Sequence, residues 1–345
     1  MKEKVVVVCS GRGTYNKEEL GYLSRYHSKK TSMIETIDEH RAEKEQIPIT
    51  QLDEMTQFNL KKHTAGENAS ALIYACALGD FYDIDRDRYD IVAVTGNSMG
   101  WYIALRCAEV LTDTGAINLI NTMGSMMQNG IIGGQVIYPV IDDNWQYDEQ
   151  KAAHLNQVVK DIKGRPGCEL YLSIDLGGYR VLGGNEPALR LLDSSLTRVQ
   201  DRFPMRLYNH AAFHTPLLHS VSEQAKQSLS QSLFNTPSIP LIDGKGKIWQ
   251  PKCFDLAEIY EYTLGAQVIE PYYFGRAVEI AVKEFAPDKV IVTGPGSNLG
   301  ASVAQKLVQL KWDGMDSKNA FAERQMQHPY VISMGRESER ALVVR

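Results

Sequence analysis

A chain of 345 residues, 43% hydrophobic and 23% charged, has the material for one large domain or a large domain with a smaller insert, and lies outside the composition of disordered chains. A net charge of -5 and a pI near 5.9 exclude a broad nucleic-acid surface, which needs clustered Lys and Arg to release phosphate counterions. No run approaches the ~18 apolar residues of a membrane span, and five scattered cysteines without zinc-ligand spacing lead us to expect a reduced, cytoplasmic protein without metal.

The chain opens with a buried strand at residues 5–8, four consecutive valines, running into the glycine turn Gly11-Arg12-Gly13. Residues 31–64 are polar and charge-rich, as surface helices are. Residues 69–81 have the small, apolar composition of a packed helix. A second buried strand at 91–95 leads through Gly96-Asn97-Ser98-Met99-Gly100 into a helix over 101–111. From 134 to 208 the texture changes to strands at 135–141, 170–174, 180–182 and 205–208, with helices over 148–163 and 187–202. This split β-α-β order predicts a small ferredoxin-like unit inserted in a larger domain. Val290-Ile291-Val292-Thr293 and Gly294-Pro295-Gly296 form a late strand and turn, and the tail from about Asp313 offers little pattern.

Three segments could carry chemistry. The strand–GxSxG–helix context at Ser98 is that of a nucleophile elbow, in which the serine is forced outward at a helix N-terminus and the following amide, on Met99, can face an oxyanion. A serine hydroxyl needs a base, and Asn209-His210-Ala211-Ala212-Phe213-His214 offers two histidines, of which His210, like His27 and His219, reads as structural or surface. In a doubly wound sheet the loops at the carboxyl ends of the strands converge, which would bring the Arg12 amide beside that of Met99 as a second oxyanion donor.

Taken in order, these segments resemble the malonyl-CoA:acyl carrier protein transacylase family and the acyltransferase domains of fatty-acid and polyketide synthases, over roughly residues 4–310. The landmarks are GRGTY (family GQGxQ), GNSMGW (GHSLGE), MGSMMQ at 123–128 (RGxxMQ), DLGGYRVLGG at 175–184 (NxPGQxVxSG), AFHTP at 212–216 (AFHSP) and VTGPG (EVGPG). The resemblance implies an α/β fold with an α/β-hydrolase-like doubly wound core and an inserted ferredoxin-like subdomain. Its divisions would be a catalytic domain over 1–133 and 209–312, a small subdomain over 134–208, and a C-terminal extension over 313–345.

Carried over by position, Ser98 is the nucleophile, His214 its base, and the Gln267 main-chain carbonyl the group that orients the imidazole. The Arg12 and Met99 amides form the oxyanion hole. The implied reaction moves a short acyl group from coenzyme A to the phosphopantetheine thiol of an acyl carrier protein through an acyl-serine, with an acyl hydrolase or a catalytically weak scaffold as the alternatives. No cofactor beyond the coenzyme A thioester, no nucleic acid and no membrane are implied. The family arginine that pairs with the malonyl carboxylate is Met123 here, so the expected acyl group is neutral and short, or malonyl if another cation substitutes. Phe213, Asn97, Trp101 and Asp175 are the other expected pocket residues. Arg190, Arg198, Arg202 and Arg206 are candidates for docking an acidic carrier.

Overall fold

The computed structural model describes residues 2–127 and 130–345; Gln128, the last residue of the MGSMMQ stretch, lies outside them. A six-stranded sheet forms the core. It contains β1 (Glu3–Cys9), β2 (Tyr89–Gly96), β7 (Leu241–Ile242), β8 (Ile248–Trp249), β10 (Lys289–Val292) and β11 (Val331–Ser333), in the order β11-β10-β1-β2-β7-β8. All neighbours run parallel except the β7–β8 pair. The central strand β1 carries the valine run because helices cover both faces of a parallel sheet, leaving Val5 to Val8 no polar side to show.

The Gly66–Asp83 helix is buried on almost every side, and its low amphipathicity follows from that. It packs against the Asp113–Ser125 helix through glycines: a Cβ on Gly66 would stand 2.4 Å from the Gly124 carbonyl oxygen. This close approach leaves room for a side chain arriving from the β1 turn.

The inserted unit is built from β3 (Gly134–Pro139), the Glu149–Lys163 helix, β4 (Leu170–Leu176), β5 (Tyr179–Gly184), the Glu186–Ser195 helix and β6 (Met205–Arg206). Its antiparallel order β6-β3-β5-β4 is that of the expected ferredoxin-like unit. A fifth strand, β9 (Tyr272–Tyr273), comes from the core segment and pairs parallel with β4, joining the small sheet to the large domain. The helix expected over 187–202 stops at Ser195. Leu196 is extended, and Gln200 and Asp201 adopt positive φ in the turn closed by the Val199–Phe203 bridge.

The 313–345 stretch is woven into the core. It supplies the sheet-edge strand β11 and places Arg340 against Asp80 and Asp83 of the long helix. Cys9, Cys76 and Cys107 are buried, and all five cysteines are free thiols. No helix among the described residues is long and apolar enough to cross a membrane.

Candidate active site

Strand β2 ends at Gly96 and the next helix begins at Gly100, so the chain reverses within three residues. Only glycine fits at either end: a Cβ on Gly96 would lie 2.2 Å from the Gly100 backbone, and one on Gly100 would lie 2.2 Å from the Cys9 carbonyl oxygen. Ser98 sits at the apex with φ 55, a left-handed conformation that costs a non-glycine residue about 1–3 kcal/mol and is held by the packing around it. The β1 turn abuts this elbow, since a Cβ on Gly11 would stand 2.3 Å from the Asn97 carbonyl oxygen. The Arg12 and Met99 amides thus belong to two loops that meet beside Ser98, and neither is engaged by another group among the described residues.

His214 arrives from the loop after β6, also at positive φ (58). Its Nε2 lies 2.7 Å from Ser98 Oγ and its Nδ1 lies 2.5 Å from the Gln267 carbonyl oxygen. A carbonyl can only accept, so Nδ1 carries the proton and Nε2 presents its lone pair to the serine hydroxyl. The His214 amide donates to the Val268 carbonyl (2.9 Å), clamping backbone and ring to the same short segment. Burial disfavours the imidazolium and outweighs the Gln267 carbonyl, so the His214 pKa falls to about 4. The ring is therefore a neutral base at physiological pH.

These groups line a cavity of about 780 Å³, as do Met123, Phe213 and Asn97. Met123 packs against core side chains, and the Phe213 ring lies edge-on to His210 with centroids 6.5 Å apart. Two expected pocket residues are not there. Trp101 is fully buried behind the elbow, donating from Nε1 to Thr263 Oγ1 (3.0 Å) and packing edge-on to Tyr262. Asp175 is paired with Arg180, while its strand neighbours Ile174 and Leu176 line the cavity; alternate side chains of a strand face opposite ways.

Several functional neighbours were not anticipated. The Gln267 side chain, delivered by the π-helical turn Tyr262–Ala266, donates from Nε2 to the Ser98 carbonyl (3.1 Å) and accepts from Tyr102 Oη at Oε1 (2.8 Å). Tyr272 donates to the Gly96 carbonyl at 2.5 Å. Gln135 and Ser173 donate to the Phe213 carbonyl, and Gln135 Oε1 lies 2.9 Å from His210 Nδ1. Tyr102, four residues beyond Ser98, could have been found from helical spacing; the others carry no local signal. The exposed side chains of Leu60, Tyr208, Arg202 and Arg206 mark the cavity rim. Of the candidate docking arginines, Arg190 pairs with Glu186, Arg206 pairs with Glu186 and Asp193, and Arg202 lies over the Phe203 ring.

No protein-family model matches the chain. Among curated proteins it is similar to the malonyl CoA-acyl carrier protein transacylase of Escherichia coli (strain K12), 20% identical over 232 residues, which are 66% of this chain and 70% of that protein. Among solved structures it superposes on the malonyl-CoA:acyl carrier protein transacylase of Xanthomonas oryzae pv. oryzae with a TM-score of 0.73 and 17% identity, covering 100% of both chains. It also superposes on a malonyl-transacylase solved in complex with its type II polyketide synthase acyl carrier protein, with a TM-score of 0.74 and 15% identity over 99% of both chains. By sequence similarity to these curated relatives and by fold, the chain resembles the malonyl-CoA:acyl carrier protein transacylases.

Proposed function

We propose that this protein is an acyltransferase that carries a short acyl group from coenzyme A to the phosphopantetheine thiol of an acyl carrier protein, with Ser98 holding the group between the two. The observation that carries the reading is the 2.7 Å contact between Ser98 Oγ and a neutral His214 whose outer nitrogen is fixed on the Gln267 carbonyl. The names of the relatives, and a related transacylase bound to its carrier protein, favour transfer as the overall reaction.

The steps follow from the proton positions. Ser98 gives its proton to His214 Nε2 as Oγ attacks the thioester carbonyl, and the resulting oxyanion is met by the free Arg12 and Met99 amides. The C–S bond then breaks, His214 returns the proton to the departing coenzyme A sulfur, and an acyl ester remains on Ser98. A carrier thiol enters, loses its proton to His214 and attacks the ester; the proton passes to Ser98 as the C–O bond breaks. Gln267 holds the Ser98 carbonyl throughout, so the elbow does not shift as charge develops. The imidazolium formed in each half is short-lived because burial disfavours its charge, which favours rapid return of the proton.

The test is a paired measurement. Incubation with an acyl-CoA should add one acyl mass at Ser98, and a holo carrier protein should remove it as acyl-carrier; Ser98→Ala should abolish both. Multiple-turnover release of free acid in the presence of carrier would show a hydrolase instead.

A further inference from the structure

One wall of the cavity holds a charge that the transfer steps leave unused. The Arg12 side chain turns inward, with Nη2 donating to the Thr64 and Asn209 carbonyls at 2.8 and 3.1 Å. Its Nε is buried without a partner, and Nη1 makes no hydrogen bond among the described residues. No carboxylate comes within ion-pair distance among the described residues, although the charge of Glu67 favours the guanidinium from further off. A half-buried cation with donors to spare is costly in an empty site and is favoured when an anion arrives.

The position of the group says which anion. The guanidinium carbon stands 5.8 Å from the Phe213 ring centroid, and Nη1 lies 3.7 Å from where a Cβ on Gly66 would be. That point is itself 2.4 Å from the Gly124 carbonyl oxygen, so the charge sits against the helix that carries Met123, in the cavity that Ser98 also lines. Asn97 Oδ1, on the elbow itself, is likewise buried without a partner. The two carbonyl contacts fix the guanidinium plane and occupy Nη2, leaving the two N–H groups of Nη1 to meet a carboxylate oxygen.

We propose that Arg12 binds a free carboxylate on the acyl group, so that the preferred donor is the coenzyme A thioester of a short dicarboxylic acid, read by a cation from the β1 turn in place of one from the Met123 helix. The proposal rests on the acyl-serine reading above. It makes Arg12 bifunctional: its amide faces the reacting oxygen while its side chain holds the far end of the same acyl group.

The rate of Ser98 adduct formation, followed by intact mass, tests it on the whole chain. The wild type should acylate faster from malonyl-CoA than from acetyl-CoA, and faster by about 10- to 100-fold than from the methyl ester of malonyl-CoA, which has the same backbone without the charge. Arg12→Gln should lower the malonyl-to-acetyl ratio by a similar factor. Adding Met123→Arg to Arg12→Gln should restore part of it by bringing the cation from the neighbouring helix. Because the methyl-ester comparison uses the wild type, it decides the matter even if Arg12→Gln folds poorly. Equal rates for malonyl-CoA and its ester, or a ratio unmoved by Arg12→Gln, overturn the role of Arg12 while leaving Ser98 as nucleophile. Absence of any adduct from all three thioesters overturns both.

Discussion

His214 shows how one residue's surroundings set the working range of a site. Its imidazole is buried against Tyr272 and donates outward to a carbonyl, with no carboxylate beside it among the described residues, and burial lowers the pKa to about 4. The base is therefore already unprotonated across the neutral range, and no activating deprotonation is needed. The expected outcome is a single-turnover acylation rate of Ser98 that is flat from about pH 8 down to about pH 5.5 and falls as the pH is lowered towards 4. A limb centred near 6.5, the ordinary histidine value, would mean that the imidazole is solvated or paired with an acid during the reaction. The same shift acts on stability with a definite sign. The unfolded chain binds a proton that the folded chain refuses, so this contribution is present above about pH 6.5 and is lost as the pH falls below it.

The elbow is the element on which the site depends, and its demands are steric. Gly100 must let the helix start against the Cys9 carbonyl, where an added methyl would stand at 2.2 Å from backbone that cannot rotate away. Gly100→Ala should destabilise the fold by about 1–3 kcal/mol or more in urea denaturation and abolish the Ser98 adduct, because relief requires β1 and the elbow to separate. This requirement is what made the elbow legible: a strand of β-branched residues followed by GxSxG has few conformations open to it. His214 was legible for a related reason, since its AFHTP segment matches a family string. The pocket residues were less so. Trp101 lies between Met99 and Tyr102, both on the cavity, but the helical turn rotates it by about 100° onto Thr263. Asp175 fails by the parity of β4, a reading that its apolar neighbours Ile174 and Leu176 already contained. Strands β9 and β11 span only two and three residues, too short for any period to register, and the π turn that delivers Gln267 leaves no mark in composition.

At the scale of the molecule, the last segment of the chain is locked to the middle by charges. Arg340, 5% exposed, binds Asp80 and Asp83; Asp80 also accepts from Tyr22 Oη (2.8 Å) and the Gly294 amide (2.6 Å), and lies 3.0 Å from His27 Nε2. Burial disfavours charge on His27, yet hydrogen bonds to the two carboxylates outweigh it and raise its pKa. One cluster thus ties the N-terminal helices, the long central helix, the β10 turn and the C-terminal helix, and none of its members lines the cavity. Removing one cation from such a cluster leaves a buried carboxylate undercompensated, so Arg340→Met should cost about 3–5 kcal/mol in chemical denaturation. The double change Arg340→Met with Asp80→Asn should cost less than the sum of the two single changes, because each partner's penalty arises from the other's remaining charge. In the raised-pKa direction, His27 contributes stability below about pH 6.5 that is lost as pH rises through its folded value, opposite in sign to His214. Arg340→Met should therefore lower the melting temperature by several degrees while leaving the Ser98 acylation rate at low temperature as in the wild type. A variant that acylates poorly while fully folded would instead mean that the C-terminal segment reaches the site through the β10 turn and the loops beside it.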